Sequence, residues 1–155
     1  MIHIFTYKDG ILAKLAHDLR LSVVSPTIDV DGDSVRVSLS ADQVRVDGVV
    51  KRGQVYPNDL SASQKQEIEK NITTKIVRDH AIVFEGTYSE QALEGHLTLN
   101  GQTQPIRVPL KASNDRLQGR ADITPSKWGV APYKAMAGAI KLQDKWTIAV
   151  DVARP

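Results

Sequence analysis

The chain has 155 residues, of which 41% are hydrophobic and 25% are charged, and its net charge is +2. A chain of this length buries roughly 68–70% of its unfolded surface, so we expect one domain over residues 1–155 whose core is stable without a covalent cross-link. It lacks cysteine, which excludes disulfides, thiolate metal sites and cysteine nucleophiles, and its interleaved positive and negative charges form no patch for nucleic acid.

The N-terminal region has no pattern of a targeting or membrane segment. Lys8, Asp9 and Lys14 interrupt the apolar residues between Met1 and Ala16. This stretch is therefore read as neither a secretory signal peptide nor a membrane-spanning helix. We expect a cytoplasmic protein, with the periplasm as the alternative if a leader has been removed.

The first half of the chain has the pattern of strands joined by turns. Apolar residues spaced by two predict a first strand over residues 2–6 and a second over 19–23, with a short apolar turn at 11–16 between them. The sequence Asp31-Gly32-Asp33 predicts a hairpin turn, and Asp47-Gly48 predicts a further turn.

The period changes after residue 61. Ile68, Ile72 and Ile76 recur at every fourth position, which is the spacing of one helix face. Ser63 with Gln66 has the pattern of a capping box and predicts where the helix starts. Because the apolar stripe is narrow, we expect a short amphipathic helix that packs on the surface of something larger.

Strand character returns in the last third, where three turn signals separate alternating apolar runs. Asn100-Gly101 predicts a type I′ hairpin, because both residues tolerate positive φ, and Asn114-Asp115 and Gln143-Asp144 predict two more. We count about eight strands in all. A sheet of this many antiparallel strands either leaves its two edge strands exposed or curls and closes into a barrel. The sequence therefore predicts an all-β fold, an antiparallel eight-stranded barrel with the helix packed alongside.

The interior of such a barrel is just wide enough to be filled by side chains or to hold one small ligand, and both alternatives stay open here. The residues expected to point inward are aliphatic and often small. They are Val35, Val37, Leu97, Leu99, Val108, Ala121 and Val150.

The two tryptophans are predicted to differ. Trp146 shares a strand face with Val150, while Asp151 marks the opposite face as the solvent side, so Trp146 should point into the barrel. Trp128 precedes a glycine in a loop-like segment and is expected nearer solvent or the rim. Trp128 and Tyr133 either line a ligand entrance or pack this loop onto the sheet.

The four histidines do not form a recognisable catalytic or metal site. His17 and His80 each have an acidic neighbour, but adjacent residues on a strand point to opposite faces. No two histidines have the spacing of a zinc site. We interpret the histidines as structural and predict no catalytic residues, no metal and no enzyme activity.

Four segments resemble the YceI-like family in order and spacing: "GILAKLAHDLRLSV", "SQKQEIEKNITTKIVRDHAIVF", "LEGHLTLNGQTQPIRVPL" and "DRLQGRADITPSKWGVAPYKAMAGAIKLQDKWTIAVDV". The resemblance implies a lipocalin-like barrel whose lumen holds a long amphiphile such as a polyisoprenoid. It places His17 at the position of a family histidine near the barrel entrance. Gln104 departs from the family pattern, since arginine is usual before this proline, and one partner for a phosphate is thereby lost.

We therefore expect a protein that binds, and carries or sequesters, a polyisoprenoid or quinone-like lipid in the barrel lumen without chemistry. The alternatives are a filled barrel that acts as a protein interaction module and, third, an enzyme that uses His17. The only cofactor-like molecule expected is the isoprenoid or a similar amphiphile, and a homodimer stays open. A charged head group would need cations at the mouth, for which the candidates are Arg20, Lys51, Arg52, Lys127 and Lys134.

Overall fold

The structure is a computed structural model that describes residues 1–10 and 16–154. The predicted apolar turn at 11–16 thus falls almost entirely outside the described residues. The single α-helix of this part of the chain, α1, spans Ala62–Asn71 and continues into a π-helical turn at Ile72–Ile76. The strands are β1 (Ile2–Lys8), β2 (Leu19–Val23), β3 (Thr27–Asp31), β4 (Ser34–Ser40), β5 (Val44–Lys51), β6 (Gln54–Tyr56), β7 (Ala81–Tyr88), β8 (Ala92–Leu99), β9 (Gln102–Ser113), β10 (Arg116–Ile123), β11 (Lys134–Ala135) and β12 (Ile140–Ala153).

The strands form one antiparallel sheet in the order β3-β4-β7-β8-β9-β10-β12-β1-β2-β5-β6, and β11 pairs with β12. The predicted all-β class and the accompanying helix are confirmed. The sheet has 12 strands rather than the eight expected, and within the described residues β3 and β6 end it without pairing to each other. Strands as short as β6 and β11 escape a search for alternation, because two or three residues do not display a period.

The hairpin signals with residues suited to positive φ are confirmed. Asn100 and Gly101 have φ of 53° and 73°, as a type I′ turn between β8 and β9 requires. Gly32, at φ 61°, lies in the turn that joins Asp31 to its partner Ser34. In each case the turn fixes the register of the strands on both sides.

Two predicted turns are wrong, and both lie inside strands. Gln143-Asp144 lies within β12, where the backbone N–H of Ser126 donates to the Asp144 carboxylate over 3.0 Å. Gly48 lies within β5, and a Cβ built there would be 2.6 Å from the carbonyl oxygen of Tyr56. This glycine therefore permits the close approach of β6 and does not make a turn.

The helix starts two residues before the predicted position. Ser61 Oγ accepts from the Gln64 backbone N–H over 3.1 Å, and the Ser61 N–H donates to Gln64 Oε1 over 2.9 Å. The chain repeats the same Ser-x-x-Gln pattern at Ser63 and Gln66, so the motif alone did not distinguish the two starts. Ile72 is buried in the core, which confirms that the isoleucine stripe faces the sheet.

Strands β7 and β8 bring two glycines face to face, since Gly86 is paired with Gly95. A Cβ built on Gly86 would overlap the carbonyl oxygen of Glu94, and a Cβ on Gly95 would overlap that of Glu85. Only glycine fits at both positions, because any side chain would separate the two backbones.

Candidate ligand-binding cavity

The sheet curls around a cavity of about 130 Å³, which we call the large chamber. Alternation along each strand turns one set of side chains toward it, as on β12, where Trp146, Ile148 and Val150 line the wall. Every lining residue is hydrophobic. The others are Ile2 and Ile4 of β1, Val23 of β2, Val37 and Leu39 of β4, Ile82 and Phe84 of β7, Leu93, Leu97 and Leu99 of β8, Ile106 and Val108 of β9, and Ile123 of β10.

A second cavity of about 80 Å³, the small chamber, adjoins the first. The two share the side chains of Ile4, Ile82, Leu99 and Trp146, which we call the partition. The far wall of the small chamber is formed by α1's π-helical turn and by the segment 125–133. The sheet, the helical turn and this segment therefore form two adjoining cavities whose walls have the four partition side chains in common.

The small chamber differs from the large one in having polar side chains in its wall. Tyr133 Oη accepts from the Asn71 side chain over 3.3 Å. Gln143 Nε2 donates to the backbone carbonyl of Lys8 over 3.0 Å. Asp144 is bound by the N–H and hydroxyl of Ser126, and Thr6 completes the polar set.

Most of the predicted inward residues do line a chamber. The wall of the large chamber includes six of them: Val37, Leu97, Leu99, Val108, Trp146 and Val150. The wall of the small chamber includes Tyr133. The prediction that Trp146 points inward is thereby confirmed. The isoleucines of β1, β7, β9 and β10 belong to the same wall but are not among the predicted inward residues, although they carry the same period-two signal as the valines.

Three predicted site residues lie outside both chambers. Val35 lines a groove on β3 and β4 beside Arg36 and Glu85. Ala121 is paired with Ile148 and lines neither chamber; it belongs instead to a surface pocket beside Arg120 and Asp122. His17 is exposed and likewise lines neither chamber.

Trp128 is not at the rim, so that prediction is wrong. Its side chain is only 3% exposed, and its Nε1 donates to the carbonyl oxygen of Leu97 over 2.8 Å. The 3₁₀ turn that carries it (Pro125–Trp128) folds onto the sheet, where the indole N–H finds an acceptor. Trp128 packs the loop against the sheet, the second of its two predicted roles, and it contributes to neither chamber.

The candidate cations for a charged head group do not reach the chambers. Arg20 is paired with Asp47 at 2.7 Å and Lys51 with Asp59 at 2.6 Å. Within residues 1–10 and 16–154, the side chains that line the two chambers include no lysine, arginine or histidine. The described chamber walls thus offer no positive charge to a ligand.

Two of the histidines have defined surroundings. His3 alternates with the inward Ile2 and Ile4 and lies on the outer face, where burial and the guanidinium of Arg20 lower its pKa. His80 Nε2 is hydrogen bonded to the carbonyl oxygen of Thr73 at 2.7 Å. No cluster of three or more acidic or histidine side chains suited to a metal occurs in the described part of the chain.

Fold and cavity together define an all-β protein whose curled sheet encloses apolar space. A family model for the YceI-like domain matches residues 16–153, and the chain belongs to this family. No curated protein sequence matches the chain. Among the helices in the described ranges, none is both long and apolar enough to cross a membrane.

Solved structures with the same fold include members of this family. The crystal structure of Burkholderia cenocepacia BcnA matches with a TM-score of 0.59 and 12% identity, over 99% of this chain and 95% of that one. The Campylobacter jejuni YceI protein matches with a TM-score of 0.51 and 11% identity, over 87% of this chain and 84% of that one. At these identities the likeness concerns the fold alone.

Proposed function

We propose that this protein binds a hydrophobic or amphipathic small molecule, of the polyisoprenoid or quinone-like class, and carries or sequesters it without chemical change. The observation that carries the proposal is the wall of the large chamber, which is built entirely of hydrophobic side chains. An apolar cavity of this kind stays dry and takes up apolar molecules. Burial of each ligand methylene contributes about 0.8 kcal/mol, so a prenyl tail needs few polar contacts.

The chamber volumes indicate what must move when a longer chain binds. A dry apolar cavity of about 150 Å³ takes up a molecule the size of benzene, and the large chamber at about 130 Å³ is of this size. Pockets that enclose larger ligands measure about 300–1,000 Å³. A chain of several isoprene units therefore requires the partition side chains to rotate, so that the two chambers join.

A role without catalysis is supported by the state of the polar groups in the small chamber. The Asp144 carboxylate is bound by Ser126, and Tyr133 and Gln143 are each hydrogen bonded within the protein. His17, the residue on which the enzyme alternative depends, is exposed and outside both chambers. Among the described wall residues, this arrangement offers no free pair of acid and base to a ligand.

The second candidate is an interaction module, and one observation favours it. Ile28 and Val30 on the terminal strand β3 are 46% and 51% exposed. A strand at the end of a sheet with exposed apolar side chains can pair with another chain. This account would replace the first if the chambers prove closed to ligands.

The test is purification without detergent, followed by native mass spectrometry, organic extraction and titration of the delipidated protein with farnesol. Val108→Phe fills the large chamber, while Val35→Phe adds the same volume on the outer groove and is its matched control. If the new ring keeps even two ligand methylenes out of the large chamber, the binding free energy falls by about 1.6 kcal/mol, so Val108→Phe should weaken binding by about tenfold or more. Equal binding by both variants, or no bound lipid and no titration, would contradict the proposal.

A further inference from the structure

In the described part of the chain, one buried hydroxyl in the wall of the small chamber has no hydrogen-bond partner. Thr6 follows Ile2 and Ile4 on the inward face of β1, it is only 7% exposed, and it lies opposite Trp146 of β12. Among residues 1–10 and 16–154, nothing accepts from or donates to its Oγ1 atom. Buried polar side-chain atoms in folded proteins nearly always have a partner, since leaving one unpaired costs free energy.

A second buried threonine shows what the ordinary arrangement looks like. Thr147 lies on the opposite face of the sheet, paired with Phe5, and is 4% exposed. Its hydroxyl donates to Asp122 over 2.6 Å and is hydrogen bonded to Tyr7 Oη at 2.5 Å. Thr147 is thus satisfied within the protein. Thr6 belongs to the wall of the small chamber, but neighbouring atoms cover its Oγ1, so a polar group of a ligand reaches this atom when the adjacent partition side chains move.

The surroundings of Thr6 indicate what could satisfy it. The neighbouring wall residues Ile4, Leu21 and Trp146 are hydrophobic, and Asp144 in the same chamber is already bound by Ser126. A threonine hydroxyl both donates and accepts, so it can pair with a hydroxyl, a carbonyl or an amide. An anionic group would meet a carboxylate and no cation in the described walls, and burying an unpaired charge is costly.

We propose that Thr6 Oγ1 is the polar contact of the bound amphiphile, and that the ligand's polar end is an uncharged hydroxyl, carbonyl or amide. The inference rests on the proposed function and specifies the ligand's orientation. The polar end lies in the small chamber at Thr6, and the apolar tail passes the partition into the large chamber. Thr6 is therefore a specificity-determining residue that selects for a neutral polar head.

The experiment compares three ligands that share one prenyl tail: farnesol, the hydrocarbon farnesene and farnesyl phosphate. Each is titrated into the delipidated full chain and into Thr6→Val, which removes the hydroxyl and keeps the side-chain shape. We expect Thr6→Val to weaken farnesol binding about two- to tenfold, as for the loss of one hydrogen bond, and to leave farnesene binding unchanged. Thr6→Ser should retain farnesol binding, and wild-type protein should prefer farnesol to farnesyl phosphate.

The controls separate this inference from the function on which it rests. Thr147→Val removes the satisfied outward hydroxyl and should not change the ratio of farnesol to farnesene affinity. If Thr6→Val does not fold, the methyl resonance of Thr6 in the wild type should still respond differently to farnesol and to farnesene. An equal effect of Thr6→Val on both ligands, no effect on either, identical methyl responses, or a preference for farnesyl phosphate would each overturn the inference while lipid binding stands. Failure of all three ligands to bind the wild type would overturn the proposed function itself.

Discussion

The indole Nε1 of Trp128 is 2.8 Å from the carbonyl oxygen of Leu97, and the Leu97 side chain lines the large chamber. The hydrogen bond therefore attaches the 125–128 turn to the strand that forms the chamber wall. Since this turn also leads into the segment that walls the small chamber, Trp128 holds both cavities in place without contacting either of them.

Trp128→Phe should destabilise the protein and keep ligand binding. The substitution removes a buried N–H donor and part of the ring, so we expect a loss of about 1–3 kcal/mol in the free energy of unfolding. Chemical denaturation measures this value. A variant as stable as the wild type would show that the hydrogen bond to Leu97 contributes nothing to the packing of the loop.

Trp146 should report ligand binding by fluorescence. It lies in the partition and lines both chambers, so a tail that passes it changes the packing and polarity around the ring. We expect Trp128→Phe to keep most of the farnesol-dependent signal and Trp146→Phe to lose most of it. The reverse pattern would place the ligand beside Trp128 and outside both chambers.

Thr6→Val should raise the stability of the empty protein. Replacing an unpaired buried hydroxyl with a methyl group removes a desolvation penalty of about 1–3 kcal/mol, and the shape is retained. Thr147→Val should have the opposite effect, because it leaves Asp122 and Tyr7 without their shared partner. Thermal denaturation of the two delipidated variants measures whether each melting temperature rises or falls relative to the wild type. A lower melting temperature for Thr6→Val would show that the Thr6 hydroxyl has a structural partner.

His3 should make the protein less stable in mild acid. Burial, followed by the positive charge of Arg20, lowers the pKa of His3 in the folded protein below its ordinary value of 6.5, while Asp47 opposes the shift. The unfolded chain therefore binds the proton more readily, so this contribution is complete above about pH 6.5 and is lost as the pH falls toward the folded pKa. His3→Gln should flatten the dependence of the melting temperature on pH between about pH 7 and pH 5. An unchanged slope would rule His3 out as its source.

Ser61 and Ser63 offer a matched pair for the helix cap. Only Ser61 accepts the capping hydrogen bond from Gln64, although both serines stand three residues before a glutamine. We expect Ser61→Ala to cost about 0.5–2 kcal/mol of stability and Ser63→Ala to cost much less. If urea denaturation shows comparable losses in the free energy of unfolding for the two variants, the helix begins at Ser61 in some molecules and at Ser63 in others.

The sequence predicted those parts of the fold that depend on local chemistry. The period of two along β12 placed Trp146 and Val150 on the inner face correctly, and the Asn100-Gly101 turn joins its strands as expected. These features are local, since a strand's alternation and a turn's φ angles are set by the residues themselves.

The features that the sequence did not predict depend on distant contacts. The sequence predicts Asp144 to be a turn residue, whereas in the structure its carboxylate accepts a hydrogen bond from Ser126 of another element. The sequence predicts Trp128 near the rim, whereas in the structure it is buried because the carbonyl oxygen of Leu97 accepts from its indole N–H. Val35 has the same alternation as Val37, yet Val37 lines the large chamber and Val35 lines the groove on β3 and β4, a difference that depends on the strands around them. The unpaired state of Thr6 is likewise a property of the assembled walls.

The facing pair Gly86 and Gly95 has a consequence for any mutational search for ligand-binding residues. Both lie on strands that supply chamber walls, yet a side chain at either would collide with the backbone of the neighbouring strand. Substitutions there would abolish ligand capture by preventing β7 and β8 from pairing, not by removing a contact. A screen scored on bound lipid alone would thus return these two positions as its strongest hits, and a parallel measure of folded protein is needed to set them aside.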